Sequence, residues 1–174
     1  MTIEFPAQPC PACDQEMTVT HEDLHYDECG LPYVVLKNIY TERCECGQVF
    51  RTIPKMAELH RLLALQLVKK PGPLVNFEIT YLRKSLGWSK ADLARKLHVQ
   101  RTQPSKWERE ENPTKMNPQN DLLLRALVAV NNRITSYVNH MEDLDVKATR
   151  PHVHRTVEAS IDEKGWHTEE LEAA

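Results

Sequence analysis

The spacing of apolar positions changes character along the chain. Over residues 32–44, PYVVLKNIYTERC, β-branched and aromatic residues dominate without a helical repeat, which predicts a strand. Residues 1–52 as a whole read as short strands and turns. From Pro54 the spacing becomes helical: Met56, Leu59, Leu63 and Leu67 make one stripe, widened by Leu62 and Val68. Pro54 suits a first helical turn, and Lys69 and Lys70 suit the negative end of the helix dipole. Pro71-Gly72-Pro73 then stops the helix and reads as a stiff linker.

Residues 74–130 divide into several short helices. Ile79, Leu82 and Leu86 form a stripe that ends at Gly87. Ser89 and Asp92 have capping-box spacing, and the helix they open, over 90–97, turns Leu93, Ala94 and Leu97 inward. Ala94 is small where two helices are expected to cross closely. After a short turn at 98–100, with Val99 as a plug, comes RTQPSKWERE, residues 101–110. Its periodicity points Trp107 to the core and Arg101, Thr102, Gln103 and Lys106 outward, with Pro104 tolerated in the first turn.

A longer helix opens at Asn117-Pro118, with Asn117 as N-cap and Pro118 at the first position. Leu123, Leu127, Val130, Ile134, Tyr137, Met141 and Leu144 follow at steps of four and three. Leu123 and Leu127 are assigned to the core of their own module. Val130, Ile134, Tyr137, Met141 and Leu144 extend past it, which predicts a seam against a second copy and hence a homodimer. From about residue 146 the chain is polar and acidic, with few apolar anchors, and a loosely held tail is expected. The short apolar string in VHRTVEASI, 153–161, can still pair as a strand. The expected fold class is therefore mainly α, with a small β unit at the N-terminus.

Composition narrows the field. The chain has 174 residues, 41% of them hydrophobic, enough for one domain or two small ones. No apolar run approaches the roughly 18 residues needed to cross a bilayer. The start, MTIEFPAQPC, lacks a basic stretch followed by an apolar one, so a cytoplasmic location is expected and no membrane partner. The net charge of −3 is unevenly spread: −3 over residues 1–73, +4 over 74–130 and −4 over 131–174. A basic middle between acidic ends hints at a nucleic-acid-binding module. No nucleophile–base set is legible, so no enzymatic activity is expected.

All five cysteines, Cys10, Cys13, Cys29, Cys44 and Cys46, lie in the first third. Their odd number and close pairing argue against a disulfide framework and for a metal. Cys10-Pro11-Ala12-Cys13 is a C-x-x-C turn, and Cys44-Glu45-Cys46-Gly47 supplies a second pair, with Gly47 suited to the positive φ of a knuckle. The assigned set is Cys10, Cys13, Cys44 and Cys46, holding a structural Zn²⁺ in a closed tetrahedral site. The C-x-C bite is tight, so Cys29 is a rival for the place of Cys44, and His21 and His25 are weaker rivals. His152, His154 and His167 read as plain polar residues.

The two short helices at 90–97 and 101–110 follow the helix-turn-helix plan, in which the second lies in the major groove. Arg suits guanine and Gln suits adenine edges, so Arg101, Thr102, Gln103 and Lys106 are the candidate base contacts. Ser89, Lys90, Arg109 and Lys115 are the candidate phosphate contacts. The stretch from Ile79 to Glu110 resembles the XRE/Cro-repressor helix-turn-helix at Leu82-Arg83, Leu86-Gly87, Ser89, Leu93-Ala94, Leu97, Val99, Trp107 and Glu108. It departs at Lys90, where glutamine is usual, and at Glu110, where a glycine is usual; Asn112-Pro113 is expected to make the exit turn instead. The order of parts over residues 9–130 resembles the MqsA/YgiT-type antitoxins. That resemblance implies that the zinc domain holds a toxin and that a dimeric helix-turn-helix represses its own operon at a palindromic operator in double-stranded DNA. The same-class alternative is a zinc-containing regulator without a toxin. The C-x-C spacing and the long C-terminal extension depart from the family pattern. The expected segments are 1–52 zinc-binding, 53–73 linker helix and PGP, 74–130 DNA-binding, 131–145 dimerising helix and 146–174 acidic tail.

Overall fold

A computed structural model of the chain describes residues 8–133 and 156–170. The fold is not mainly α. Among the described residues, five helices accompany a five-stranded mixed sheet. The chain divides into two compact units. One takes in 1–27, 32–59 and 154–174, and the other 28–31 and 60–153.

The first unit is the sheet. Strand β1 (Thr18–His25) pairs antiparallel with β2 (Val34–Arg43), and β2 pairs antiparallel with β3 (Val49–Thr52). The β1–β2 ladder shifts register between Glu22 and Leu24. There Asn38 takes φ +59 and its N–H donates to Asp23 Oδ1 (3.1 Å), while Lys37 pairs with Asp23. A residue able to enter the left-handed region absorbs the extra backbone of such a bulge. Strand β2 is the spine: Val34, Val35, Leu36, Ile39 and Tyr40 are buried, whereas β1 alternates toward solvent.

The correction to the fold class comes chiefly from the segment expected to be a loose tail. β4 (Val157–Asp162) and β5 (Gly165–Glu170) form a hairpin, and β4 adds to β2 in parallel, Val34 to Leu36 against Val157 to Ala159. The hairpin turn is built by Asp162, whose Oδ1 accepts the N–H groups of Lys164 (2.7 Å) and Gly165 (3.1 Å). The apolar string in 153–161 thus pairs as the sequence allows, although of VEASID only Ala159 is buried and the window reads as polar.

The second unit is helical. It takes most of α1 (Met56–Lys69), then α2 (Asn76–Ser85), α3 (Lys90–Lys96), α4 (Gln103–Trp107) and α5 (Pro118–Asn131). Leu63, Leu67, Ile79, Leu82, Leu93, Ala94, Leu97, Trp107, Leu124 and Val128 fill its core. The capping box at Ser89 forms as the sequence dictates: Asp92 N–H donates to Ser89 Oγ (3.1 Å) and Ser89 N–H to Asp92 Oδ2 (3.0 Å).

The PGP segment is pinned by buried charge. Arg125, fully buried on α5, donates to the carbonyls of Leu67, Val68, Lys70 and Gly72 and so caps the C-terminus of α1. Asp121 accepts from Arg125 Nε (2.6 Å) and from Leu74 N–H (2.7 Å). Lys70 reaches Glu78 (2.6 Å), whose carboxylate also accepts Val75 N–H (2.9 Å) at the start of α2. The core face of α5 is thereby set at 121, 124, 125 and 128. Leu123, assigned above to the core, is 39% exposed, and Val130 is 78% exposed. Ile134, Tyr137, Met141 and Leu144 of the expected seam lie outside the described residues.

Candidate metal centre and nucleic-acid interface

Two tight turns bring four sulfurs together. In the first, the N–H groups of Cys13 (3.3 Å) and Asp14 (2.8 Å) donate to the Cys10 carbonyl, and Asp14 leaves the turn with φ +58. In the second, Gly47 N–H donates to the Cys44 carbonyl (2.9 Å) with Gly47 at φ +92, the left-handed conformation its place after the last cysteine calls for. Strand β2 delivers Cys44 directly after Arg43, and β3 follows the turn. Beneath the turns, Cys10, Met17 and Cys44 form a small buried cluster with Phe50 against it.

The Cys10, Cys13, Cys44 and Cys46 ligand atoms all lie within 4.8 Å of one another. Sγ of Cys13 is 3.3 Å from that of Cys44, and Sγ of Cys10 is 3.6 Å from that of Cys46. Ligands about 2.3 Å from one tetrahedral ion would stand roughly 3.8 Å apart, so this array fits a metal after a small outward adjustment. Cys29 is elsewhere: it belongs to the other unit, with its thiol 3.9 Å from the Leu31 carbonyl. His21 stacks edge-on against Tyr40 and is not in the cluster. The tight C-x-C bite therefore does not exclude Cys44.

The thiols perturb one another. The backbone N–H of Cys46 favours the Cys44 thiolate, but the neighbouring Cys46, Cys13 and Cys10 thiols and burial outweigh it and push Cys44 up to about 12. Cys46 is drawn down to about 7, first by the backbone at Gln48 and then by the Cys44 and Cys13 thiols. Four adjacent sulfurs cannot all ionise in the absence of a cation; a dication would relieve that repulsion and expel the shared protons. With four protein ligands the site would be closed to substrate.

In the helical unit, Arg101, Thr102 and Lys106 are exposed and Gln103 is half-buried, while Pro104 and Trp107 are buried behind them. The helix is shorter than its sequence pattern: α4 starts at Gln103, so Arg101 and Thr102 sit in the turn before it. Asn112 makes the exit turn at φ +48, and Thr114 N–H donates to the Lys106 carbonyl (3.0 Å). Lys90, Arg109 and Lys115 are exposed. The Ser89 hydroxyl donates to Asp92 Oδ2 (2.6 Å), which engages its proton.

One organising residue, Glu108, stands out in the sequence beside Trp107, but no local pattern names its partners. Glu108, its side chain 2% exposed, receives Arg83 in a two-pronged pair (2.7 and 2.9 Å), and Lys90 Nζ lies 3.6 Å away. Arg83 also donates to the Trp88 carbonyl (2.7 Å). This cluster ties α2, the start of α3 and the end of α4 together. Asn76 Nδ2 donates to the Arg109 carbonyl (2.9 Å), which pins the following loop. These partners lie 25 and 33 residues apart, beyond any periodicity.

No protein-family model, curated protein or solved structure matches the chain. No helix among the described residues is long and apolar enough to cross a membrane.

Proposed function

We propose that the chain is a sequence-specific DNA-binding transcriptional repressor of the XRE/Cro type, with a structural zinc unit, acting as the antitoxin of an MqsA/YgiT-type pair. The observation that carries the DNA reading is the arrangement around α4. A buried Trp107 and Pro104 hold one side, and Arg101, Thr102 and Lys106 stand free on the other. A short, braced helix with exposed Arg and polar residues at its start is what major-groove readout needs. Zinc is the metal of choice for four thiolates in a closed site.

The exposed Leu123 and Val130 on α5 support pairing with a second copy, which would set two reading heads about one DNA turn apart. DNase I footprinting upstream of the protein's own gene tests this reading. It should protect two inverted half-sites; unprotected DNA at saturating protein rejects it. A regulator without a toxin is the second reading, favoured by the C-terminal hairpin, which lies beyond the stretch that resembles the antitoxins and completes the metal unit's sheet. Affinity purification from the host separates the two: a small toxin-like chain retained in stoichiometric amount supports the first.

A further inference from the structure

The C-terminal hairpin and the cysteine knuckles share one strand. β2 ends at Arg43, next to the ligand Cys44, and its opposite end carries β4. The ladder between β2 and β4 is three residue pairs long, extended by Val157 N–H donating to the Tyr33 carbonyl (3.0 Å). Parallel pairing of that length does not stand alone. Side chains complete the attachment. Ala159 is fully buried beside β2, and Trp166 is 7% exposed. Trp166 Nε1 donates to the Pro54 carbonyl (2.9 Å) and its backbone N–H to Glu58 Oε1 (2.8 Å). Glu58 approaches so closely that a β-carbon at Gly165 would lie 1.9 Å from Oε1. All these partners belong to the sheet unit.

That unit has little core to spare. Under the knuckles it consists of Cys10, Met17, Cys44 and Phe50, and along β2 of Val34, Val35, Leu36, Ile39 and Tyr40, with Tyr26, Leu59, Ala159 and Trp166 also buried. Small units of this kind depend on a metal, and in them metal-binding free energy is folding free energy. Loss of the ion would loosen the end of β2 that carries Cys44, held otherwise only by its pairing with β1 and β3, and would weaken the template for the short ladder at the other end.

We propose that the hairpin over residues 157–168 stays docked on β2 only while the four cysteines hold their metal, so that metal occupancy decides whether the C-terminal segment is bound or free. The inference rests on the metal reading above. Linkage makes it reciprocal: undocking the hairpin weakens metal retention by the same factor.

The test is hydrogen exchange of the full, unaltered chain, loaded with Co²⁺ and then stripped by a chelator, with thiolate-to-cobalt absorption recording occupancy. Amides of residues 158–161 should be protected in the loaded chain and exchange at least about tenfold faster once cobalt is gone, while α2 and α5 keep their protection. In the full chain, Trp166→Ala should bind cobalt about tenfold more weakly in competition with the chelator, and Glu163→Ala, exposed in the hairpin turn, with the parental affinity. A hairpin still protected after cobalt is lost overturns the coupling alone, as does parental cobalt affinity in Trp166→Ala. A chain that takes up no cobalt overturns the metal reading and the coupling together.

Discussion

Arg101 and Lys115 are both exposed cations, and the proposed DNA reading gives them different work. Arg101 precedes α4, where in the proposed DNA complex its guanidinium would fork onto a guanine edge; Lys115 lies in the loop beyond it and would meet the phosphate chain instead. Arg101→Ala should cost about 1–3 kcal/mol on the cognate site and relax its sequence preference. Lys115→Ala should weaken every sequence alike and reduce the salt slope by about one. Fluorescence anisotropy over a salt series measures both, and identical salt slopes for the two variants would remove the distinction. Another residue-scale consequence concerns Glu22. Hydrogen bonds from Arg43 and then Thr20 hold its carboxyl at about 2, against an ordinary 4.5. The folded state therefore favours the ionised form, and the β1–β2 contact it supports is complete above about pH 4.5 and is lost as pH falls toward 2. Glu22→Gln should flatten the acid limb of the sheet unit's thermal melting profile; an unchanged limb would show that the pair contributes nothing.

At the scale of elements, α5 shows how a sequence pattern can be right in period and wrong in face. Leu123, expected in the core, is exposed and Leu127 is half-buried, because the helix turns Asp121, Leu124, Arg125 and Val128 inward; Val130, expected outside the module's core, is exposed. Asp121 and Arg125 are four apart, the spacing of an ordinary surface ion pair, so nothing local marks them as buried. Their placement follows from the α1 carbonyls that need capping, partners more than fifty residues away. Elements governed by local rules were legible: the Ser89 capping box, the Asn117 cap, the Gly47 turn and the inward Trp107. Those governed by distant partners were not: the string in 153–161 was legible as a strand candidate, but its parallel partner lies over a hundred residues back and nothing local names it. Arg125→Met should destabilise the helical unit by about 3–5 kcal/mol, since it strands the buried Asp121 carboxylate and four carbonyls. Thermal melting checks this, and a loss below about 1 kcal/mol would mean that the network is dispensable.

At the scale of the whole molecule, the chain enters the sheet unit, leaves it for the helical unit and returns to finish the sheet. Each unit has its own buried core, and the sheet unit also carries four clustered cysteines placed to hold a metal. Cys13→Ser should therefore abolish binding of one zinc per chain and unfold the sheet unit, while the helical unit keeps its far-ultraviolet signal and cooperative melt. Retention of one equivalent of zinc by that variant would refute the ligand set. Above all, the exposed start of α4 is expected to read DNA sequence. The most direct measurement is competition anisotropy at one fixed salt concentration, with DNA from upstream of the protein's own gene against a scrambled duplex of equal length. A preference of about a thousandfold or more for the upstream DNA is predicted; equal affinity for the two duplexes would contradict it.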